Sequence, residues 1–134
     1  LLEVKILETR VDKISDTEAE IMKVVWNKGG PTTYAEIRSA LSVKFDIGNQ
    51  SIQTLLKRLV QKKVLKQEKR EVYYYSTLVS EADYVKSKTM ALLEKVFDGD
   101  AKGSLSALVS YKEVTPEDLE DLYRFWQKGR EIDE

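Results

Sequence analysis

Gly48 to Val64, GNQSIQTLLKRLVQKKV, decides how the rest of the chain is read. Ile52, Leu55, Leu56, Leu59 and Val60 fall at i, i+3, i+4, i+7 and i+8, the single apolar stripe of a 3.6-period helix, which has to be buried. The opposite face carries Gln50, Gln53, Thr54, Lys57, Arg58 and Gln61 and runs out in Lys62 and Lys63. Amides and hydroxyls lead and long cations come after them. That order suits a helix whose first turns meet base edges and whose later turns meet phosphates, although an ordinary amphipathic surface helix also shows a polar outer face.

The totals narrow the choice. A chain of 134 residues with 42% hydrophobic and 34% charged content fits one compact domain, or a small domain with an appendage. It contains no cysteine and no histidine, which removes disulfides, thiolate nucleophiles, zinc sites built on those residues and the usual neutral-pH general base. No nucleophile elbow, phosphate loop or acidic metal loop is found among the remaining Ser, Asp, Glu, Lys and Tyr. The expectation is a protein that is not an enzyme and needs no metal or cofactor. No apolar run approaches the roughly 18 residues that cross a bilayer, so no membrane partner is expected and a cytoplasmic location is the default. Residues 1–13 read as an amino-terminal arm; because it opens with Leu1 rather than Met, the expectation is that it is trimmed or carries non-native residues.

The net charge of -1 hides an asymmetry. Ser15 to Val79 holds eleven basic and seven acidic residues, whereas Ser80 to Glu134 holds eight basic and thirteen acidic. Opposite signs in the two halves point to two modules, 14–79 and 80–134. Seven of the eleven cations lie between Lys57 and Arg70, which focuses the positive field on the carboxyl end of the Gly48–Val64 helix and on the residues just beyond it.

Taken in order, Ser15-Asp16-Thr17-Glu18 is a capping box opening a helix whose apolar face is Ile21, Met22, Val25 and Trp26, stopped by Asn27 to Pro31. Thr33-Tyr34-Ala35-Glu36 repeats the box, and Tyr34, Ile37 and Leu41 carry a second helix to about Lys44. Three short helices with tight links form the helix-turn-helix order, with the third free for a major groove. Beyond Val64 the period changes: Leu65 to Glu68 and Val72 to Ser76 flank the charged turn Lys69-Arg70-Glu71 and read as a hairpin. Tyr73 and Tyr75 should share one face, and Val72 and Tyr74 the other. Lys66, Lys69 and Arg70 are then placed to touch backbone phosphates.

Helix, helix, helix, hairpin is the winged-helix arrangement. The segments ISDTEAEIMKVVW, SIQTLLKRLVQKKVL and EVYYYSTLVSEADY resemble, in order and spacing, the penicillinase-repressor (BlaI/MecI/CopY) family of bacterial transcription regulators, from about Lys13 to the end. The resemblance implies a homodimeric repressor that binds a palindromic operator in double-stranded DNA through the winged helix and pairs through a carboxyl-terminal helical domain. The expected class is therefore mainly α with a small antiparallel β hairpin, a winged helix-turn-helix domain followed by a helical dimerisation domain. The expected DNA-binding residues are Gln50, Ser51, Gln53, Thr54, Lys57, Arg58, Lys62, Lys66, Lys69 and Arg70, with the recognition helix at about 49–63 and the wing at about 65–76. The rival reading is a winged helix used as a protein-interaction module, its basic face serving an acidic partner.

The second module reads as three helices: Ser80 to Phe97, Ser104 to Ser110 after the break Asp98 to Gly103, and a last one opened by Thr115-Pro116. Its stripes offer Leu92, Val96, Leu105, Leu108, Val109, Leu119, Leu122, Tyr123 and Trp126 for dimerisation. So short a module makes a thin core and gains by burying these against a second copy, or against the chain's own winged helix. The chain departs from the family in three places. Ile47-Gly48-Asn49 stands where the family commonly has Trp-Ser-Pro, the cysteine hook of copper-responsive members is missing, and so is the Asn-Phe bond whose cleavage inactivates the β-lactam-responsive members. A regulatory protease is a partner that the resemblance implies, with its cut near Asp98 to Ser104.

Overall fold

The computed structural model describes residues 10–133, so most of the expected 1–13 arm lies outside the described residues. The order is α1 (Asp16–Lys28), β1 (Thr32–Thr33), α2 (Tyr34–Lys44), α3 (Asn49–Gln61), β2 (Leu65–Lys69), β3 (Tyr73–Thr77), α4 (Glu81–Phe97), α5 (Ala101–Ser110) and α6 (Pro116–Asp133). The chain divides into two compact units, the first running to Thr89 and the second from Met90.

In the first unit the helix starts are set by local chemistry. Ser15 accepts from the Glu18 amide and Glu18 reaches back to the Ser15 amide, the reciprocal bonds of a capping box, which satisfy two otherwise orphaned N–H groups. Thr33 caps α2 through the Glu36 amide. Gly29, at φ 80, closes α1 in the left-handed region. At the end of α3 the Val64 and Lys63 amides bond to the Leu59 and Val60 carbonyls, the paired bonds of a Schellman motif. Its left-handed position, usually glycine, is Lys63 at φ 61.

Ile52, Leu55, Leu56 and Leu59 of α3 are buried among Ile21, Met22 and Val25 of α1, Ile37 and Leu41 of α2, Val64 just ahead of the sheet, and Leu65 and Tyr75 within it. The apolar stripe of α3 is thus the centre of the core. Ile14 also lies in it, and so does Val11, so the end of the arm belongs to the fold. The sheet has three strands, in the order β1-β3-β2; β2 and β3 pair antiparallel from Leu65↔Thr77 to Lys69↔Tyr73, and β1 adds Thr32↔Tyr75 and Thr33↔Tyr74. β1 is absent from the sequence expectation because two threonines carry no period; the partner edge of β3 recruits them. The expected boundary after Val79 differs from this division, because the start of α4 packs back on the first unit: the Tyr84 ring lies 5.5 Å from that of Trp26, tilted by 42°, and the Trp26 indole N–H donates to the Val79 carbonyl at 3.0 Å.

The second unit is built differently. Asp100 caps α5 through the Gly103 amide, so this helix begins ahead of the expected Ser104 and the break between helices shrinks. Thr115 and Asp118 exchange bonds at the start of α6. None of the described residues from Met90 onward is buried. Leu92, Val96, Leu105, Leu108, Val109, Leu122, Tyr123 and Trp126 are all exposed, between 40% and 62%, and Leu119 is half-buried. Among the described residues no helix is long and apolar enough to cross a membrane, and no acidic cluster could hold a metal.

Candidate nucleic-acid interface

The outer face of α3 is dictated by its inner one. With four apolar residues buried, Gln50, Ser51, Gln53, Thr54, Lys57 and Arg58 are all exposed. At 3.6 residues per turn, Gln50, Thr54, Lys57 and Gln61 share the line directly opposite the core. Gln53 leans toward the wing, while Ser51 and Arg58 lean to the other side. Thr54 donates its hydroxyl proton to the Gln50 carbonyl at 2.9 Å, which leaves its methyl group and oxygen lone pairs outward.

A cleft separates α3 from the hairpin. Gln53, Leu56, Lys57, Val60 and Gln61 line one wall and Gln67, Val72, Tyr73 and Tyr75 the other, with Tyr34 also lining it. Strand alternation fixes which side chains face it: Gln67 stands opposite Tyr75 and Lys69 opposite Tyr73, so these four share the α3 side of the sheet. Gln67 donates to the Tyr75 hydroxyl at 3.0 Å, and the Lys69 ammonium lies 5.9 Å from the Tyr73 ring. Tyr73 and Tyr75 share a face as expected, but Tyr75 is buried and Tyr73 exposed. Lys66, opposite Ser76, points to the other side of the sheet. The structure does not bring it together with the α3 cations.

At the hairpin turn the Arg70 guanidinium lies 4.8 Å over the Tyr74 ring and 3.3 Å from the Glu68 carboxylate. Arg70 and Glu68 are exposed and Tyr74 is half-buried, so the pair orders Arg70 more than it stabilises the fold. The described lining of the cleft contains one cation, Lys57, and no acid.

Lys62 goes elsewhere. Its ammonium lies 2.5 Å from the Glu18 carboxylate and donates to the Lys13 carbonyl at 2.8 Å. Glu18 is 1% exposed. Burial, the largest single influence, pushes its carboxyl up, but the hydrogen bond from Lys62, the Ser15 amide and hydroxyl, and the Lys62 charge together hold it below its ordinary value. A phosphate contact by Lys62 would have to pull this ammonium away from a buried carboxylate, a cost that the other cations of the face do not carry.

Three polar residues beside the interface are missing from the expected set. Gln61 is on the outward line of α3, and its spacing from Gln50, Thr54 and Lys57 would have found it. Tyr34 and Asn49 meet only in three dimensions: the Tyr34 hydroxyl donates to the Asn49 side-chain oxygen at 2.9 Å.

Residues 14–128 match the sequence profile of a family described as Penicillinase repressor. The penicillinase repressor of Bacillus licheniformis is 28% identical over 122 residues, covering 90% of this chain and 94% of the relative. The penicillinase repressor of Staphylococcus aureus is 27% identical over 111 residues, covering 82% and 87%. A solved structure, the Bacillus licheniformis BlaI monomeric form in complex with the blaP half-operator, is 36% identical, covers 54% of this chain and 88% of that one, and superposes with a TM-score of 0.48.

Proposed function

The chain belongs to the penicillinase repressor family and is accordingly a DNA-binding repressor of transcription rather than an enzyme; we propose that it acts in the cytoplasm as a homodimer on a palindromic operator. Each subunit lays α3 in the major groove and sets its hairpin against the neighbouring backbone. Gln50, Ser51, Gln53 and Thr54 read base edges. Lys57, Arg58, Lys69 and Arg70 meet phosphates, with Lys66 at the flank, and Lys62 is a structural cation.

The observation that carries this reading is the outer face of α3, where every residue from Gln50 to Arg58 that is not in the core is exposed and none is acidic. The homodimer draws support from the second unit, whose helices leave Leu92, Val96, Leu105, Leu108, Val109, Leu122, Tyr123 and Trp126 exposed. Apolar area on that scale is what a second copy would cover. A two-fold dimer presents two recognition helices in opposite directions, hence the palindrome.

The test is a mobility shift of the purified protein on the DNA upstream of its own gene at two salt concentrations. Gln53→Ala should change sequence preference, whereas Arg58→Ala should weaken binding to every sequence and flatten the salt slope by about one unit. An unchanged slope together with unchanged preference refutes this orientation of α3. Sedimentation as a monomer at micromolar concentration refutes the dimer.

A further inference from the structure

We propose that Tyr34 is a positioning residue for DNA recognition and that Asn49, which it holds, is a DNA-contacting residue. The proposal rests on the reading of α3 as the recognition helix.

The leading turn of α3 has no side-chain cap, because its N-cap is Gly48. The structure provides a brace from the neighbouring helix instead. Tyr34 is the first residue of α2, its ring packs against the core, and its hydroxyl lies 2.9 Å from the Asn49 side-chain oxygen and 3.4 Å from the Asn49 carbonyl. Both atoms are acceptors, so the hydroxyl is the donor and the carboxamide oxygen is turned toward the protein. A carboxamide carries one acceptor and two N–H donors. With the oxygen engaged by the hydroxyl and the residue exposed, Asn49 turns its N–H donors to the outside.

That polarity matches DNA. Phosphate oxygens, guanine O6 and N7, adenine N7 and thymine O4 are all acceptors, and an unrestrained amide would offer its oxygen to them as readily as its nitrogen. Holding the nitrogen outward removes the wrong orientation and the ordering cost of a free side chain. The placement fits as well: Asn49 precedes Gln53 by one helical turn, and Tyr34 lines the cleft together with Gln53 and Lys57. The bond joins groups at the protein surface, both of which water could satisfy, so it adds little to stability and acts chiefly on binding.

The experiment uses the full-length chain and the DNA that the wild type selects from a pool of randomised palindromes. Tyr34→Phe, which removes only the hydroxyl, should weaken binding roughly three- to tenfold with the wild-type melting curve. Asn49→Ala should weaken it at least as much, and the double variant should be no weaker than Asn49→Ala, because the hydroxyl acts through that side chain. Asn49→Asp separates positioning from structure: the carboxylate keeps an acceptor for Tyr34 and suits a helix start, yet it has no donor to offer DNA. It should bind more weakly than Asn49→Ala. A loss confined to one base pair of the half-site identifies a base-edge acceptor and a uniform loss identifies a phosphate; either supports the proposal. Wild-type binding by Tyr34→Phe, losses that multiply in the double variant, or wild-type binding by Asn49→Asp overturn it and leave the reading of α3 standing. A wild-type protein that selects no DNA overturns both.

Discussion

Lys62→Met tests the division of the cations into structural and DNA-facing. The substitution keeps the apolar stem and removes the ammonium, leaving the Glu18 carboxylate 1% exposed, with one oxygen still accepting from the Ser15 amide at 2.9 Å and the other buried with no hydrogen-bond partner. Removing one member of a buried ion pair costs about 3–5 kcal/mol. The Lys62 side chain is itself 29% exposed, so water can reach the vacated position, and the lower end of that range, about 3 kcal/mol, applies. For a unit of this size the melting midpoint should fall by roughly 12–24 °C. In the Lys62→Met background, Glu18→Gln should recover most of the loss, since a neutral carboxamide still accepts from Ser15 and buries no charge. Thermal melts of the four proteins measure this cycle, and DNA titrations at several salt concentrations complete it. The salt slope of Lys62→Met should equal that of the wild type, in contrast to Arg58→Ala. A cost below about 1 kcal/mol, or a slope lowered by a full unit, refutes the reasoning and returns Lys62 to the phosphate contacts.

The same carboxylate makes the fold acid-sensitive. Its folded-state value lies below the ordinary 4.5, so its contribution is complete above that value and disappears as pH falls through the lowered one; Glu18→Gln should flatten the stability profile in that window, and an unchanged profile counts against the pair. Lys63→Gly relieves a left-handed residue at φ 61 and should raise stability by about 0.5–1 kcal/mol in urea unfolding, whereas a less stable variant would mean that the Lys63 side chain contributes packing of its own. Limited proteolysis should cut first between Phe97 and Ala101, where Asp98 at φ 49 and Gly99 at φ 81 separate two helices, and the nicked protein should lose operator affinity about a hundredfold as the dimer loosens. A first cut elsewhere, mapped by mass spectrometry, rules out that link as the site of a regulatory cut.

What is legible in the sequence is what local chemistry decides. The Ser15 and Thr33 caps, the stripe of α3 and the hairpin between Leu65 and Thr77 each depend on residues a few positions apart, and the structure has them. α5 starts earlier than its sequence suggests, also for a local reason. Gly103 reads as part of a break, because glycine costs a helix about 1 kcal/mol. Its amide is the partner of the Asp100 cap, and a Cβ at that position would stand 2.4 Å from the Asp100 carboxylate. The residue that reads as an interruption of the helix is therefore part of its first turn and supplies the amide that the cap holds.

The site is legible by residue type and less so by destination. Lys57 and Lys62 look alike in the sequence, five positions apart on a cationic run. Lys57 lies within the helix, and its direction is fixed by the buried residues on either side. α3 ends at Gln61, and Lys62, its C-cap, keeps right-handed helical dihedrals (φ -75, ψ -5), so at 3.6 residues per turn it lies about 140° round the helix from Lys57, toward the buried face. There its ammonium meets Glu18, forty-four residues away. Glu18 reads locally as half of a capping box and nothing more, yet a capping bond occupies only part of a carboxylate. One that is buried needs a counter-charge as well, and Lys62, beyond the last outward position of α3, is the cation that supplies it. A helix-start acid that also lies on the apolar side of its helix is thus a signal that some distant cation is structural. In a chain read as DNA-binding, that cation should be removed from the phosphate count before any salt slope is predicted.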